Sequence, residues 1–202
     1  MNVLAGTAAA PASKRRFGLG AQSIVALLAG IAAGLFFGED VKLLHPVGYL
    51  ALRDLMGDAA FPTALHTFMA RWNGKRPLPW DMFNSFNDPT VGNYTWFFQN
   101  WYFGYNHMDL AMEDVRNEGG VQTVAVRNPG GMAIPFDLVL AFADGSSERV
   151  HLTPAAWQAD GRRTEVPIAG GKALRSVTLD TGTFVDANPG DNTWAADKAG
   201  AR

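Results

Sequence analysis

Hydrophobic and polar positions follow three different patterns along the chain, and each pattern predicts a different kind of element. Residues 17–38 form a run of 22 positions without a formal charge. In residues 46–108, apolar positions recur every three or four residues, which is typical of amphipathic helices. In residues 109–194 they recur with a period of two, which is typical of half-buried strands. These patterns predict an α+β fold: an N-terminal hydrophobic transmembrane helix, a short all-α bundle and an antiparallel β-sandwich.

The uncharged run at residues 17–38 is long enough to span a membrane. As a helix it would measure about 33 Å, against about 30 Å for the hydrocarbon core of a bilayer. Three basic residues precede it, Lys14, Arg15 and Arg16, and positive charge before a span keeps the N-terminus in the cytoplasm. The pattern predicts a membrane protein with a basic, disordered N-terminus at residues 1–16. The body would lie outside, in the periplasm or the extracellular space.

Two other interpretations of this run stay open. A secretory signal peptide has the same basic start and apolar run, although LFFGEDVK lacks the small-residue pattern that cleavage prefers. The protein would then be secreted. The other interpretation is a buried helix of a soluble domain. Gly30, Gly34 and Gly38 fall four residues apart, a spacing that lets membrane helices approach closely, although glycine is also frequent in membrane helices in general.

The run and the segment after it, GEDVKLLHPVG, are similar to the first membrane helix of dicarboxylate/amino-acid:cation symporters. The similarity covers residues 17–45. The hairpin tips and substrate-binding helices of that family have no counterpart later in the sequence, so transport does not follow from it. An N-terminal piece of such a symporter remains an alternative.

Residues 46–108 are predicted to form four short helices. GYLALRDLMGD gives the first, which ends at Gly57, and PWDMFNSFN gives the third. NYTWFFQNWYF gives the fourth, with Asn93 as its N-cap. Two apolar faces are predicted, one on the second helix and one on the third: Phe61, Ala64, Leu65, Phe68, Met69 and Trp72, then Trp80, Phe83 and Phe86.

Short apolar runs about ten residues apart follow from Asp109 onward. VQTVAVRN, FDLVLAF, ERVHLTP, TEVPI, LRSVTLD and TFVDANPGDNTW are expected to form the series of strands, and ADGS is a hairpin turn. In ERVHLTP, Val150 and Leu152 should face inward. The spacing is typical of an antiparallel β-sandwich. Residues 195–202 are expected to be a disordered tail. FDLVLAF places four large side chains on one face: Phe136, Leu138, Leu140 and Phe142.

Composition limits the chemistry that the chain can perform. Its 202 residues suffice for one domain with an appendage, and six Trp and 13 Phe can build a core. The net charge of −2 gives no indication of nucleic-acid binding. The absence of cysteine from the sequence excludes disulfides, thiolate metal sites and cysteine nucleophiles. From Glu39 onward the chain has 14 basic and 19 acidic residues, so a basic start is followed by an acidic body.

Two segments, ALRDLMGDAAFPTALHTFMARWNGKRPLPWDMFNSFND and NYTWFFQNWYFGYNHMDLAM, resemble the end of the catalytic domain in the aminopeptidase N family of zinc metallopeptidases. The resemblance implies that residues 46–108 are the helical end of a thermolysin-like domain and that residues 109–194 are the β-sandwich after it. The family removes N-terminal amino acids from peptides with a zinc-activated water. The spacing of basic, aromatic and proline residues carries the resemblance: Arg71, Trp72, Lys75, Pro77, Pro79, Trp80, Asp81, Phe83 and the cluster from Trp96 to Trp101.

The zinc-binding motif of that family is missing from the sequence. HExxH places two histidines on one face of a helix and a glutamate that activates the metal-bound water. The downstream glutamate and the GxMEN recognition segment are also missing. The four histidines do not fit the motif, because none has another histidine four residues later and none precedes a glutamate: His45, His66, His107 and His151. His66 is expected to be an ordinary, partly exposed residue.

The catalytic tyrosine of the family also has no counterpart. Its position aligns near Lys42 or Leu43, and neither side chain can stabilise an oxyanion as a tyrosine does. Tyr49 comes several residues too late and is expected to pack within a helix. No catalytic, cofactor-binding or metal-binding residue is therefore assigned, and no cofactor is expected in this chain, although the family uses zinc.

Two groups in the β region have both a functional and a structural interpretation. Trp157 and Trp194 would mark a binding face if exposed, but packing at the edge of the sandwich is favoured. Four oxygen-bearing side chains near the end of the region have the spacing of calcium ligands: Asp186, Asn188, Asp191 and Asn192. The Pro-Gly pair between them favours a turn in which these side chains bond the local backbone instead.

Two main hypotheses of function result. The chain is either the C-terminal fragment of a zinc aminopeptidase-like protein, inactive alone without the zinc site, or a membrane-anchored, non-catalytic β-sandwich interaction module. A protein partner would then cover the helical face that the missing zinc-bearing helices would otherwise cover. The membrane is expected as a partner through residues 17–38, and nucleic acid is not. A fusion of a symporter start to a peptidase end near residues 43–48 would account for both resemblances.

Overall fold

The computed structural model describes residues 46–87 and 92–196. The predicted membrane helix at residues 17–38 and the basic segment at 1–16 lie outside these residues, as do His45 and the last six positions. Within the described ranges, no helix is long and apolar enough to cross a membrane. The described residues all belong to one compact unit.

The first part of the described chain is helical, as predicted. Gly57, with a φ of +82°, ends the first helix because a left-handed conformation suits a residue without a Cβ. Pro79 opens the third helix, and the Asp81 carboxylate accepts the N–H of Leu78 at 2.8 Å. The helices are α1 (Pro46–Met56), α2 (Ala60–Trp72), α3 (Pro79–Phe86) and α4 (Thr95–Tyr102).

Aromatic side chains form the core of the helical part. Phe86, Phe97 and Phe98 are fully buried, and the rings of Phe83 and Phe98 are stacked with their centroids 4.4 Å apart. α1 approaches α4 closely at Gly48 because a Cβ there would lie 2.8 Å from the Tyr102 hydroxyl. The close packing of α1 against α4 therefore requires a residue without a side chain at position 48.

The predictions that Met69 and Trp80 face inward are wrong. Met69 is half exposed because each helical residue advances about 100°, which puts Met69 about 80° round from Phe61 at the margin of the apolar face. Trp80 is 58% exposed. It lies on the far side of α3 from Met82 and Phe86, which are buried.

The predicted start of α4 is also one position too early. The helix begins at Thr95, and Tyr94 occupies the N-cap position. Asn93 still accepts the N–H of Thr95 through its side-chain oxygen at 3.0 Å. The Asn93 side chain therefore still bonds the start of the helix, although Asn93 lies one residue before the N-cap.

The rest of the described chain forms two antiparallel sheets. The first has the strand order β1-β2-β5 and the second the order β4-β3-β6-β7. Both sheets contribute side chains to one buried cluster, which the helices share. An α+β architecture with antiparallel sheets is confirmed, and it is compatible with the predicted β-sandwich. The strands are β1 (Ala111–Glu118), β2 (Val121–Arg127), β3 (Phe136–Phe142), β4 (Ser147–Leu152), β5 (Arg163–Ile168), β6 (Leu174–Asp180) and β7 (Thr193–Ala195).

Strand β3 follows the predicted alternation. Its four large side chains are buried and the residues between them are not. The turn after it contains Gly145 with a φ of +84°, and β4 returns antiparallel to β3. Val150 and Leu152 pack against the core. The ADGS hairpin is therefore confirmed.

Strand β1, with the sequence AMEDVRNE, was not predicted. It carries charged residues at exposed positions, and a register shift between Met112 and Asp114 interrupts its pairing with β2. It also lies at the edge of its sheet. Edge strands tolerate charge and bulges, so the apolar alternation that identified the other strands is weak here. Only the end of the predicted last segment, TFVDANPGDNTW, is a strand, because Pro189–Asp191 forms a 3-10 turn. The strand β7 begins at Thr193 and extends one residue beyond the predicted boundary, to Ala195.

Candidate functional site

The described histidines lie in three separate parts of the fold. His66 is exposed on α2. His107 lies before β1, with its Nε2 atom 3.8 Å from the Asp109 carboxylate. His151 lies on β4. In the described part of the chain, no group of three or more His, Asp and Glu residues is arranged to hold a metal ion.

The oxygen-bearing side chains near the end make the contacts of a turn. Asp186 accepts the N–H groups of Asn188 at 2.8 Å and Leu110 at 3.1 Å. Asn188 donates its side-chain amide to Asp191 at 2.9 Å. These bonds fit the predicted turn, and the contact with Leu110 also attaches it to the residue before β1.

The tryptophans of the β region pack as predicted. Trp157 is buried, and its indole N–H donates to the carbonyl of Ile134 at 2.8 Å. Trp194 is partly buried against the core. Tyr49 also packs within the helices, where its hydroxyl lies 3.2 Å from the Met82 sulfur. Burial raises the pKa of Tyr49 well above its usual value.

A charged network connects α1 with the second sheet. The Nδ1 atom of His151 lies 2.6 Å from Asp137, and its Nε2 atom lies 2.9 Å from Asp54 on α1. Arg149 bridges Asp137 at 2.6 Å and Asp180 at 2.7 Å. One imidazole therefore contacts two carboxylates from elements 97 residues apart in the sequence.

The contacts of the network shift the pKa values of His151 and Asp180 so that the charged form of each is favoured. The Asp137 contact, followed by the Asp54 contact, raises the pKa of His151 above its ordinary value. The guanidinium of Arg149 lowers the pKa of Asp180. The contacts of His151 favour its charged form, so the network is strongest when His151 carries its proton.

Replacing His151 by Gln is expected to lower the free energy of unfolding more in acid than in base. A raised pKa in the folded state contributes stability that is fully present below about pH 6.5 and is lost as the pH rises through the folded-state pKa. Because half of the side chain is exposed, the contribution is about 1 kcal/mol or less. Urea unfolding of both proteins between pH 5 and 9 measures it.

The exposed His66 provides the matched control. His66→Gln should leave the unfolding midpoint unchanged relative to the original protein at each pH. A difference between His151→Gln and the original protein that is the same at pH 5 and pH 9 would contradict the proposed ionisation of the network.

A second set of contacts fixes the helices to the sheets. Trp101 on α4 donates its indole N–H to the carbonyl of Ala133 at 2.9 Å. Asn100 accepts the N–H of Ala133 at 2.8 Å and donates to the carbonyl of Gly131 at 2.7 Å. Two adjacent side chains of α4 therefore satisfy three backbone groups of residues 131–133, which join β2 to β3.

Asn128 supports the same junction from the sheet side. It is 1% exposed. Its side-chain amide donates to the carbonyls of Met132 and Gly161, each at 3.1 Å, and its side-chain oxygen accepts the N–H of Gly131 at 2.7 Å. The buried amide therefore has a partner for both its donor and its acceptor group.

The helical part also presents apolar side chains to solvent. Leu78 is 64% exposed, Trp80 58% and Phe103 49%, and Tyr105 is fully exposed. Trp80 and Phe103 stack with their ring centroids 4.9 Å apart and their planes 11° apart. We call Leu78, Trp80, Phe103 and Tyr105 the aromatic surface.

The geometry defines an α+β protein in which α1 is hydrogen-bonded to β4, α4 is hydrogen-bonded to the segment between β2 and β3, and an aromatic surface is exposed. No protein-family model matches the chain, and a search of curated proteins finds no match.

The network around His151 was not predicted from the sequence, and the residues of the exposed helical face were not identified. The contact between His151 and Asp137 could have been predicted from the hairpin turn, because counting outward from ADGS places Asp137 opposite His151, as observed. Asp54 could not be found in this way because nothing local connects α1 with β4. An exposed apolar face on the helical part was predicted, but Trp80 was wrongly assigned to the core.

Proposed function

We propose that the chain is the C-terminal, non-catalytic part of an aminopeptidase N-like protein and that it acts as an interaction module. The observation that carries this proposal is the aromatic surface, which is exposed at the ends of α3 and α4, and α4 is hydrogen-bonded to the segment that joins β2 to β3. The module would bind its partner through a preformed surface.

The order of elements supports the aminopeptidase part of the proposal. The resemblance implies short helices that end a catalytic domain, followed by a β-sandwich. Four helices followed by two antiparallel sheets fit that order. The residues that carry the resemblance include Trp80, which belongs to the aromatic surface, and Pro79, which lies between Leu78 and Trp80 in the sequence.

The physical character of the aromatic surface supports the interaction part. Aromatic side chains are enriched at binding interfaces because they bury a large area at a low cost in conformational entropy. The stacking of Trp80 on Phe103 restricts both rings before any partner arrives. Preorganisation of this kind lowers the entropy lost on binding.

Zinc content and peptidase activity test the non-catalytic part. The purified chain, dialysed against zinc and then against zinc-free buffer, should hold well below one zinc per chain by elemental analysis. It should release no chromophore from aminoacyl chromogenic substrates above the rate in buffer, because the zinc motif and catalytic tyrosine of the family have no counterpart in the sequence.

One zinc per chain together with hydrolysis would overturn the proposal. Individual His→Gln substitutions at His45, His66, His107 and His151 would then identify the ligands. An authentic zinc aminopeptidase treated in parallel shows that the dialysis preserves a genuine site.

A further inference from the structure

We infer that the partner of the aromatic surface is an anionic lipid membrane, with Trp80 and Phe103 at the level of the headgroups and Lys75 and Arg76 facing the lipid phosphates. The inference rests on the proposed role as an interaction module, since it names the class of partner. It concerns the described helices and does not depend on the predicted span at residues 17–38.

The composition of the aromatic surface fits the boundary between water and lipid. Tryptophan and tyrosine are enriched there because each has an apolar ring and a polar group that stays hydrated. Phe103 and Leu78 supply apolar area without a polar group. Trp80 packs edge-on against Phe83 at 5.8 Å, so its ring is supported from the core side while more than half of it faces solvent.

Two exposed cations lie close in sequence to the same surface. Lys75 and Arg76 are exposed and precede Leu78 by three and two residues. Lys75 donates to the carbonyl of Arg71 at 2.7 Å, and its ammonium lies 5.7 Å from the centre of the Trp72 ring. This charge is therefore held at the C-terminal end of α2.

The neighbouring acid does not cancel this charge by contact. Asp81 uses its carboxylate to accept the N–H of Leu78 at the start of α3. The chain as a whole has a net charge of −2, so two adjacent cations beside exposed aromatic rings differ from the average surface. Anionic lipid attracts each such cation by about 1 kcal/mol, whereas an apolar protein pocket would gain nothing from them.

A local probe distinguishes this surface from the N-terminal run, which is itself predicted to bind lipid. The chain has no cysteine, so a single introduced cysteine can be labelled with a polarity-sensitive fluorophore. Leu78→Cys places the label on the aromatic surface. The substitution keeps the bond from the backbone N–H of residue 78 to Asp81, because that bond does not use the side chain.

Val121→Cys provides the matched control. Val121 is also exposed and apolar, but it begins β2, six residues from Arg127 at the strand end near the helix junction. Six residues of strand span about 20 Å. Both labelled full-length chains are mixed with phosphatidylcholine vesicles and with vesicles of phosphatidylcholine and phosphatidylserine.

The expected result is a blue shift of the label at position 78 with the anionic vesicles and a much smaller shift with the neutral ones. The label at position 121 should not respond to either. Adding Lys75→Gln and Arg76→Gln to the Leu78→Cys chain should lower the docking equilibrium constant on anionic vesicles about thirtyfold. Adding Trp80→Ser should lower it about fivefold or more, because exposed apolar area is no longer buried.

Three results would overturn the inference. The label at position 78 could stay silent on anionic vesicles, it could respond equally to neutral vesicles, or it could shift without lipid as the protein concentration rises. The last result would mean that the surface binds a second copy of the chain, and the interaction module would then survive while the membrane partner would not. The zinc and peptidase assays use no lipid, so failure of the non-catalytic proposal is detected separately.

Discussion

Replacing Trp101 by Ala is expected to lower the free energy of unfolding by about 3–5 kcal/mol, since deletion of a large core aromatic side chain costs that much. Trp101 is 8% exposed, and its ring stacks on Phe97 with the centroids 5.5 Å apart. Its indole N–H donates to the carbonyl of Ala133 in the segment that joins β2 to β3. A loss of this size is a large fraction of the 5–15 kcal/mol that stabilises a typical domain. Urea unfolding followed by far-ultraviolet circular dichroism measures it.

Two further substitutions separate the contributions of Trp101. Trp101→Phe keeps most of the ring but leaves the Ala133 carbonyl without this donor, which should cost about 1–3 kcal/mol. Trp80→Ala removes an exposed tryptophan of the same size and should cost about 1 kcal/mol or less. If Trp101→Ala were no more destabilising than Trp80→Ala, the helices and sheets would not share one core, and the rigid presentation of the aromatic surface would lose its basis.

The contrast between these two tryptophans shows how far the sequence predicts the helical part. The period of apolar residues located all four helices because that period is a local property of the chain. The same period could not decide which side of the short helix α3 is buried. Its eight residues make only about two turns, and aromatic residues occupy more than one side. Trp80 is exposed because α4 covers the side of α3 that carries Phe83 and Phe86.

The sheets were more predictable where one face is buried and the other is not. β3 alternates along its whole length, and a shift of one residue would move every large side chain to the solvent face. β1 lacks that constraint because its position at the sheet edge tolerates charged residues. The network around His151 was predictable only in part. Its contact with Asp137 follows from hairpin register, whereas its contact with Asp54 depends on how α1 packs on the second sheet.

The contacts between α4 and the segment that joins β2 to β3 could not be predicted from the sequence patterns. Its contacts are side-chain bonds to backbone groups of residues 131–133, and such bonds leave no periodic trace. Asn100 and Asn128 are ordinary polar residues in the sequence. Their importance comes from the buried backbone groups that they satisfy, and each group would otherwise cost free energy to bury.

Replacing Asn128 by Asp is therefore expected to be the second most damaging of these changes, with a loss of about 2–4 kcal/mol at pH 7. The substitution keeps the shape of the side chain and its acceptor for Gly131. It removes the two donors to Met132 and Gly161 and turns a carboxylate oxygen toward those carbonyls. The measurement is the free energy of unfolding in urea at pH 7 and again at pH 4.5.

The dependence on pH distinguishes a buried charge from a general loss of packing. Burial raises the pKa of the new carboxyl at position 128, and a group with a raised folded-state pKa loses stability as the pH rises through that value. The loss should therefore be smaller at pH 4.5, where the protonated carboxyl regains one donor. Asn117→Asp on the exposed part of β1 is the matched control and should change stability by about 0.5 kcal/mol or less at both pH values. Equal losses at pH 4.5 and pH 7 for Asn128→Asp would mean that the carboxylate has reached solvent. The segment joining β2 to β3 would then not be held in place by a buried amide.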